Sequence, residues 1–205
     1  MKVLLINGSP NEFGCTYTAL KEVSDKLKEH GIETEIFQIG KKPVPGCIDC
    51  GYCSKNGKCA FPDIAGILDH AEEYDGIVVG SPVYFAGPSG QVCSLLDRLF
   101  HSSKNKWAGK FAAAVVSCRR AGSTASFDRL NKYFTILNMN VVGSSYWNQV
   151  HGNTPDEVKR DLEGMRCLRT LGENMAYLIK CVDAGKKAGV PLPQYEPPVR
   201  TNFIR

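Results

Sequence analysis

The feature that most constrains this chain is an alternation. Short apolar runs of strand length are separated by segments in which apolar residues recur at steps of three and four. Lys2 to Asn7 (KVLLIN) is a continuous apolar run, as expected of a central strand covered on both faces. Asp75 to Gly80 (DGIVVG), Lys110 to Ser117 (KFAAAVVS) and Met139 to Ser145 supply three more strands. Ile32 to Gln38 alternates Ile32, Thr34, Ile36 and Gln38 with Glu33, Glu35 and Phe37, so it reads as an edge strand. Helices are expected over Thr16 to His30, where Gly31 supplies the stop, and over Ile64 to Glu73, Ser89 to His101 and Thr124 to Leu137. A stripe from Val158 to Val182 predicts one long helix over Pro155 to Asp183, N-capped by Thr154. Strands that alternate with helices form parallel crossover units. The expected architecture is therefore a three-layer α/β domain over residues 1–184. Its five-stranded parallel sheet has the order 2-1-3-4-5, with helices on both faces and a ligand at the carboxyl ends of the strands. Residues 185–205 are Pro-rich and read as an extended tail.

Composition then removes alternatives. A chain of 205 residues can bury a core without cross-links, so its nine cysteines call for another explanation. Four of them fall within thirteen positions, which in a reducing compartment points to metal or redox chemistry rather than a disulfide framework. The net charge of +4 is small and its Lys and Arg residues are scattered, which argues against a nucleic-acid partner. The first apolar run, Val3 to Ile6, is too short for a membrane span or for the apolar region of a signal peptide, which needs about 7 to 15 residues. A cytoplasmic protein with no membrane association is expected.

Four loops meet at the carboxyl edge of such a sheet. The first, Gly8 to Thr18, lacks both GxGxxG and GxxxxGK[ST]. It offers the hydroxyls of Ser9, Thr16 and Thr18 and free amides at a helix N-terminus, an anion site that needs no lysine. The second, Ser81 to Gly90, holds Tyr84 and Phe85 among prolines and glycines, well placed to border a flat ligand. The third, Ser117 to Ser123, offers backbone amides with Arg119 and Arg120, and the fourth, Tyr146 to Asn153, adds the Trp147 indole, amide side chains and His151. A phosphate site beside aromatic and amide groups describes FMN. His30, His70 and His101 sit near helix ends, where a favourable dipole interaction accounts for them. No GxSxG or HExxH motif supports a hydrolase.

The segments Val3 to Pro10 with Thr16, and Gly80 to Phe85 with Gly87, resemble the flavodoxin-fold family of NADPH-dependent FMN reductases and iron-sulfur flavoproteins over about residues 1–150. The resemblance implies that Ser9, Asn11, Thr16 and Thr18 hold the FMN phosphate and that Pro82, Val83, Tyr84, Phe85 and Gly87 flank the ring. Residues 117 to 122, among them Ser117, Arg119, Arg120 and Gly122, would contact its pyrimidine side. Trp147 is a candidate to stack on the flavin or on a partner subunit, or to belong to the core. The family often shows Asn where this chain has Cys15, and a basic residue where it has Asn11. The resemblance also implies a homodimer, because family members often complete the flavin pocket across an interface.

Cys47, Cys50, Cys53 and Cys59 follow the spacing C-x2-C-x2-C-x5-C within a loop insertion over residues 43–62. Three thiolates at successive intervals of three can wrap one face of a cubane and a fourth can close it, the local logic of ferredoxin loops. The segment resembles that of iron-sulfur flavoproteins, which carry a 4Fe-4S cluster beside FMN. Zinc and an empty thiol loop stay open as rivals. Of the other cysteines, Cys15 and Cys118 lie in the proposed FMN loops, while Cys93, Cys167 and Cys181 fall in helical patterns and read as small buried hydrophobes.

The leading expectation is an FMN oxidoreductase that takes electrons from NAD(P)H and passes them to a small-molecule or protein acceptor. The cofactor would carry the chemistry, so no catalytic side chain is assigned. The alternatives are an electron carrier with a 4Fe-4S cluster on the four-cysteine loop, and a non-enzymatic FMN-binding sensor.

Overall fold

The computed structural model describes residues 1–197 and 199–203, the side chains of Lys104 and Asn105 apart. Pro198 and residues 204 and 205, which belong to the expected tail, lie outside the described residues.

The central sheet is parallel. Strand β1 (Lys2–Asn7) pairs with β2 (Glu33–Gln38) on one side and β3 (Gly76–Tyr84) on the other. Strand β3 also folds back antiparallel onto β4 (Gly87–Pro88) and pairs in parallel with β5 (Phe111–Cys118). Beyond β5 come two short strands in line, β6 (Asn140–Val141) and β7 (Gln149–His151). The order β2-β1-β3-β5-β6 is the expected doubly wound order, but the sheet has seven strands rather than five. The expected fifth strand, Met139 to Ser145, shrinks to two residues. The chain leaves the sheet and re-enters it at Gln149, a segment expected to be loop.

The helices are α1 (Cys15–Glu29), α2 (Tyr52–Asn56), α3 (Ala65–Asp69), α4 (Gly90–Ser103), α5 (Ser123–Ile136), α6 (Pro155–Arg160) and α7 (Leu162–Lys187). A 3-10 turn over Pro62–Ile64 precedes α3 and another over Lys104–Trp107 follows α4. The single helix expected over Pro155–Asp183 is two. Thr154 caps the first as expected, its hydroxyl accepting from the Glu157 amide. At Asp161 the backbone leaves helical geometry, and the carboxylate caps α7 by accepting from the Gly164 amide at 3.0 Å. Helix α7 runs four residues beyond the expected end, and the described residues from Val190 onward form neither helix nor strand.

Two cores follow from the period of two in the strands. Val3, Leu5, Val78, Ala113 and Val115 face α1 and α7 and pack with Leu20, Val23, Leu168 and Leu171. Leu4, Ile6, Ile77, Val79, Ala112 and Ala114 face the other layer and pack with Leu95, Leu96, Leu99, Phe134 and Trp107. Truncating one such residue, Leu5→Ala for example, costs about 2 to 5 kcal/mol. Both layers hold the strand ends rigidly, and that rigidity positions the site.

Candidate functional site

The loops at the carboxyl edge of the sheet are stitched together by buried bonds. After β1, the Gly8 amide donates to the Gly80 carbonyl at 2.8 Å, and a side chain on Gly8 would place its Cβ 2.7 Å from that same oxygen. The Ser89 hydroxyl donates to the Gly8 carbonyl at 2.7 Å, while the Ser89 amide donates to Ser81 Oγ at 2.9 Å. Thr16 Oγ1 lies 2.8 Å from Ser117 Oγ, joining α1 to the end of β5. The Gly152 amide donates to the Cys118 carbonyl, and the Cys15 thiol reaches the Gly152 carbonyl. The first, second, third and fourth loops therefore form one contiguous rim.

The first loop is shaped from below. Asn7 is fully buried; its amide donates to Gln38 Oε1 and to the Glu12 carbonyl, and Gln38 in turn donates to the Ser9 carbonyl at 2.8 Å. Ser9 Oγ accepts from the Asn11 amide, which folds residues 9–11 into a tight turn ahead of α1. Gly14 is the N-cap of α1, so no side chain caps the helix, and its first turn carries no acidic residue. The amides of that turn therefore have no side-chain cap, and no carboxylate within the turn competes for them. A cleft of about 540 Å³ opens there, with Asn11, Glu12, Phe13, Gly14, Lys41 and Asn153 among its walls, so that one carboxylate and one ammonium both border it. Of the phosphate candidates, Ser9 and Thr16 are buried, Asn11 is exposed, and Thr18 spends its hydroxyl on the Gly14 carbonyl.

The second loop is a hairpin. Strand β3 runs through Pro82, Val83 and Tyr84, so these residues extend the sheet instead of leaving it, and Phe85 and Ala86 form the turn to Gly87. Both turn residues adopt positive φ, 50° and 58°, although neither is glycine. Such a turn is strained for L-residues and persists where its surroundings hold it. Gly122 supplies part of that support. At φ 86° it lies so close beneath the hairpin that an added Cβ would meet Ala86 Cα at 2.7 Å. The hairpin offers outward a fully exposed Phe85 ring and a half-exposed Tyr84.

Arg119 and Arg120 are exposed, and among the described residues no carboxylate pairs with either. Trp147 is 46% exposed and packs edge-on to Tyr146, which removes it from the core. Next to it Asn148 is buried, donating to the Ala114 carbonyl. Asn148 Oδ1 and Gln149 Oε1 are buried without a hydrogen-bond partner among the described residues. His151 is half exposed; its amide donates to Asp161 Oδ2 at 2.7 Å, a structural tie that also fixes the break between α6 and α7. Burial pushes the Cys15 and Cys118 thiols up, so neither is an activated thiolate. Cys167 is buried as expected, whereas Cys93 is half-buried and Cys181 is exposed on α7.

The four-cysteine segment lies against α4. Cys47, Cys50, Cys53 and Cys59 all border one cavity, which Phe61, Arg98 and His101 also line. All four are free thiols, Cys47 and Cys50 exposed and Cys53 and Cys59 half-buried. Among the described residues no three His, Cys, Asp or Glu side chains converge tightly enough to hold a single metal ion. The wall behind the thiols is Arg98, whose side chain is 1% exposed. Its Nη1 and Nη2 donate to the two carboxylate oxygens of Asp63 at 2.6 and 2.5 Å, and Nη1 also lies 3.8 Å from Cys59 Sγ. Those bonds and the guanidinium charge hold the Asp63 carboxyl below the usual carboxylate range. Sequence reasoning missed this residue because its partners lie about 35 residues earlier in an irregular segment.

Residues 1–154 match the family model described as NADPH-dependent FMN reductase. An iron-sulfur flavoprotein of Methanocaldococcus jannaschii is 35% identical over 193 residues, covering 89% of this chain and 99% of that protein. An FMN reductase (NADPH) of Pseudomonas putida is 28% identical over 99 residues, 48% of this chain and 47% of that one. Among solved structures, a flavodoxin from the domain Archaea superposes with a TM-score of 0.59 at 14% identity, covering 88% of this chain and 99% of that one. No described helix is long and apolar enough to cross a membrane. With the match spanning most of the chain and the strand-end rim in the place where such folds bind flavin, the protein belongs to the NADPH-dependent FMN reductase family of FMN-binding, flavodoxin-like oxidoreductases.

Proposed function

We propose that this flavoprotein is an electron-transfer oxidoreductase with two centres, FMN across the strand-end rim and a 4Fe-4S cluster on Cys47, Cys50, Cys53 and Cys59. The observation that carries the reading is that all four thiols of the C-x2-C-x2-C-x5-C segment border one cavity. The name of the M. jannaschii relative supports it. Helix α4 links the two regions, with Val92 packed beneath Gly8 of the first loop and Arg98 lining the cysteine cavity. It starts beside the hairpin at Gly90 and reaches Arg98 about 12 Å further along its axis, at ~1.5 Å per residue.

FMN, when bound, supplies hydride acceptance and the passage of electrons singly or in pairs. The chain's own residues bind and orient it. Ser9, Asn11 and Thr16 with the uncapped amides of α1 take the phosphate, and Thr18, whose hydroxyl donates to the Gly14 carbonyl, fixes the first turn that presents them. Pro82, Val83, Tyr84, Phe85 and Gly87 border the ring, and Trp147 covers it from the fourth loop. The amides of residues 118 to 122, with Arg119 or Arg120 nearby, balance negative charge on the reduced ring. Ser117 positions Thr16 through their shared hydrogen bond. No side chain is assigned as an acid or base.

NAD(P)H is the electron source we propose. The family description and the P. putida relative support it. A small molecule or a redox protein accepts the electrons. The chain acts as a homodimer in the cytoplasm; the exposed apolar residues Leu162, Tyr177, Leu178 and Val182 along α7 support self-association.

The test is protein purified without air and assayed for flavin, iron and sulfide. Flavin bands with iron and sulfide are expected, and Cys59→Ser is expected to lose iron and keep flavin. Flavin without iron would sink the cluster. Mixing with NADPH or NADH is expected to bleach the flavin; a flavin that stays oxidised with both removes the nicotinamide donor, and absence of turnover with any acceptor would favour a sensor.

A further inference from the structure

Arg98 poses a physical problem that the flavin site does not solve. A guanidinium taken out of water is costly unless its donors are all met. Here the fork is spent on Asp63, while Nε is buried and has no partner among the described residues. Most of the buried face of α4 is apolar, with Val92, Leu95, Leu96 and Leu99 fully buried, and its buried hydroxyls on Ser102 and Ser103 are spent on backbone carbonyls one turn earlier. A methionine or leucine would fit that face at lower cost.

What the charge does instead is grip one segment at alternate residues. Nη1 reaches the Cys59 sulfur at 3.8 Å, the guanidinium stands 5.4 Å from the centre of the Phe61 ring, and both terminal nitrogens bind Asp63. The fourth cysteine of the motif is thus held from α4. Among the residues lining the cysteine cavity, Arg98 is the one with a permanent positive charge. Thiolates around an iron-sulfur core carry net negative charge, and hydrogen bonds to their sulfurs set the reduction potential.

We propose that Arg98 is the positioning and potential-setting residue of the cluster, holding Cys59 in place through Phe61 and Asp63 and donating Nη1–H to the Cys59 sulfur. The inference rests on the cluster reading given above. Asp63 offsets most of the guanidinium charge, so the N–H to sulfur bond and the net charge can be separated by substitution. In Arg98→Met with Asp63→Asn a neutral pair replaces a neutral pair, so the net charge stays while the donor to sulfur and the grip on Phe61 and position 63 are lost. In Asp63→Asn alone the donor stays and its compensating carboxylate goes.

The experiment is an EPR-monitored redox titration of the full-length, anaerobically prepared protein, with the flavin potential as internal control. The double variant is expected to shift the cluster toward its oxidised form by about tenfold, 59 mV for one electron. Asp63→Asn is expected to shift it the opposite way, and the flavin potential to stay in place in both. A double variant that titrates at the wild-type cluster potential, or moves in the same direction as Asp63→Asn, overturns the proposal. Should the double variant keep flavin but hold no iron, Arg98→Lys decides. Iron retained with the lysine charge supports the role, and iron lost there as well overturns it. A wild-type protein with flavin and no iron is a separate outcome, which removes the cluster and this role with it.

Discussion

Thr16 and Ser117, 101 residues apart in the chain, share a buried hydrogen bond of 2.8 Å between their hydroxyls, and through it the first helix and the end of the fourth long strand hold one rim. Either substitution alone leaves a buried hydroxyl unpaired, a cost of about 1 to 3 kcal/mol. Thr16→Val and Ser117→Ala are expected to be non-additive, with a coupling of about 1 kcal/mol in urea unfolding of the double-mutant cycle. Additive losses would show that the two hydroxyls act independently.

Gly122 sets the height of the aromatic hairpin. Its positive φ strains any other residue, and a Cβ there would press on Ala86. Gly122→Val is expected to displace the Phe85–Ala86 turn and weaken FMN binding about tenfold or more, ~1.4 kcal/mol, in a fluorescence titration of the apoprotein. An unchanged affinity would remove the hairpin from the flavin site.

The two tryptophans report on different places. Trp107 is fully buried, its indole donating to Ser103 Oγ at 2.8 Å, while Trp147 is half exposed on the rim. Adding FMN to apoprotein is expected to quench the Trp147 emission and leave the bluer Trp107 emission largely in place. In Trp147→Phe most of the quenching disappears; quenching that survives this change would place the flavin away from the fourth loop.

Acid should act through Asp63. Hydrogen bonds from Arg98 and the guanidinium charge depress its folded-state pKa. Its contribution is therefore complete above the unfolded carboxylate value of about 3.9 and is lost as pH falls through the folded value. The melting temperature of the metal-free chain should exceed that of Asp63→Asn at neutral pH, and the gap should close below about pH 4. A gap of constant size across that range contradicts the ion pair as its source.

The long parallel strands were legible because both their faces are buried, so Lys2 to Asn7 and Lys110 to Ser117 read as uninterrupted apolar runs. The rim loops were legible from their place after those strands. The hairpin turn was not, because Phe85 and Ala86 take left-handed geometry without the Asn-Gly or Gly-Gly signal that marks such turns. The break at Asp161 was hidden for a related reason: the apolar spacing runs through it with no proline to mark a stop, and the cap is formed by a carboxylate that also binds the His151 amide. Arg98 was illegible because a charge at one position of a helical pattern reads as solvent-facing, and only the tertiary fold brings Asp63 and Cys59 to it. Cys181 shows the converse, a helical cysteine that the stripe leaves on the surface.

Two redox centres on one chain is the central claim, and an anaerobic reductive titration followed by absorbance and EPR tests it most directly. About three electrons per chain are expected, two taken up by the flavin and one by a four-iron cluster whose signal appears as the iron is reduced. Uptake that ends at two electrons, with flavin bleaching and no iron signal, would contradict it.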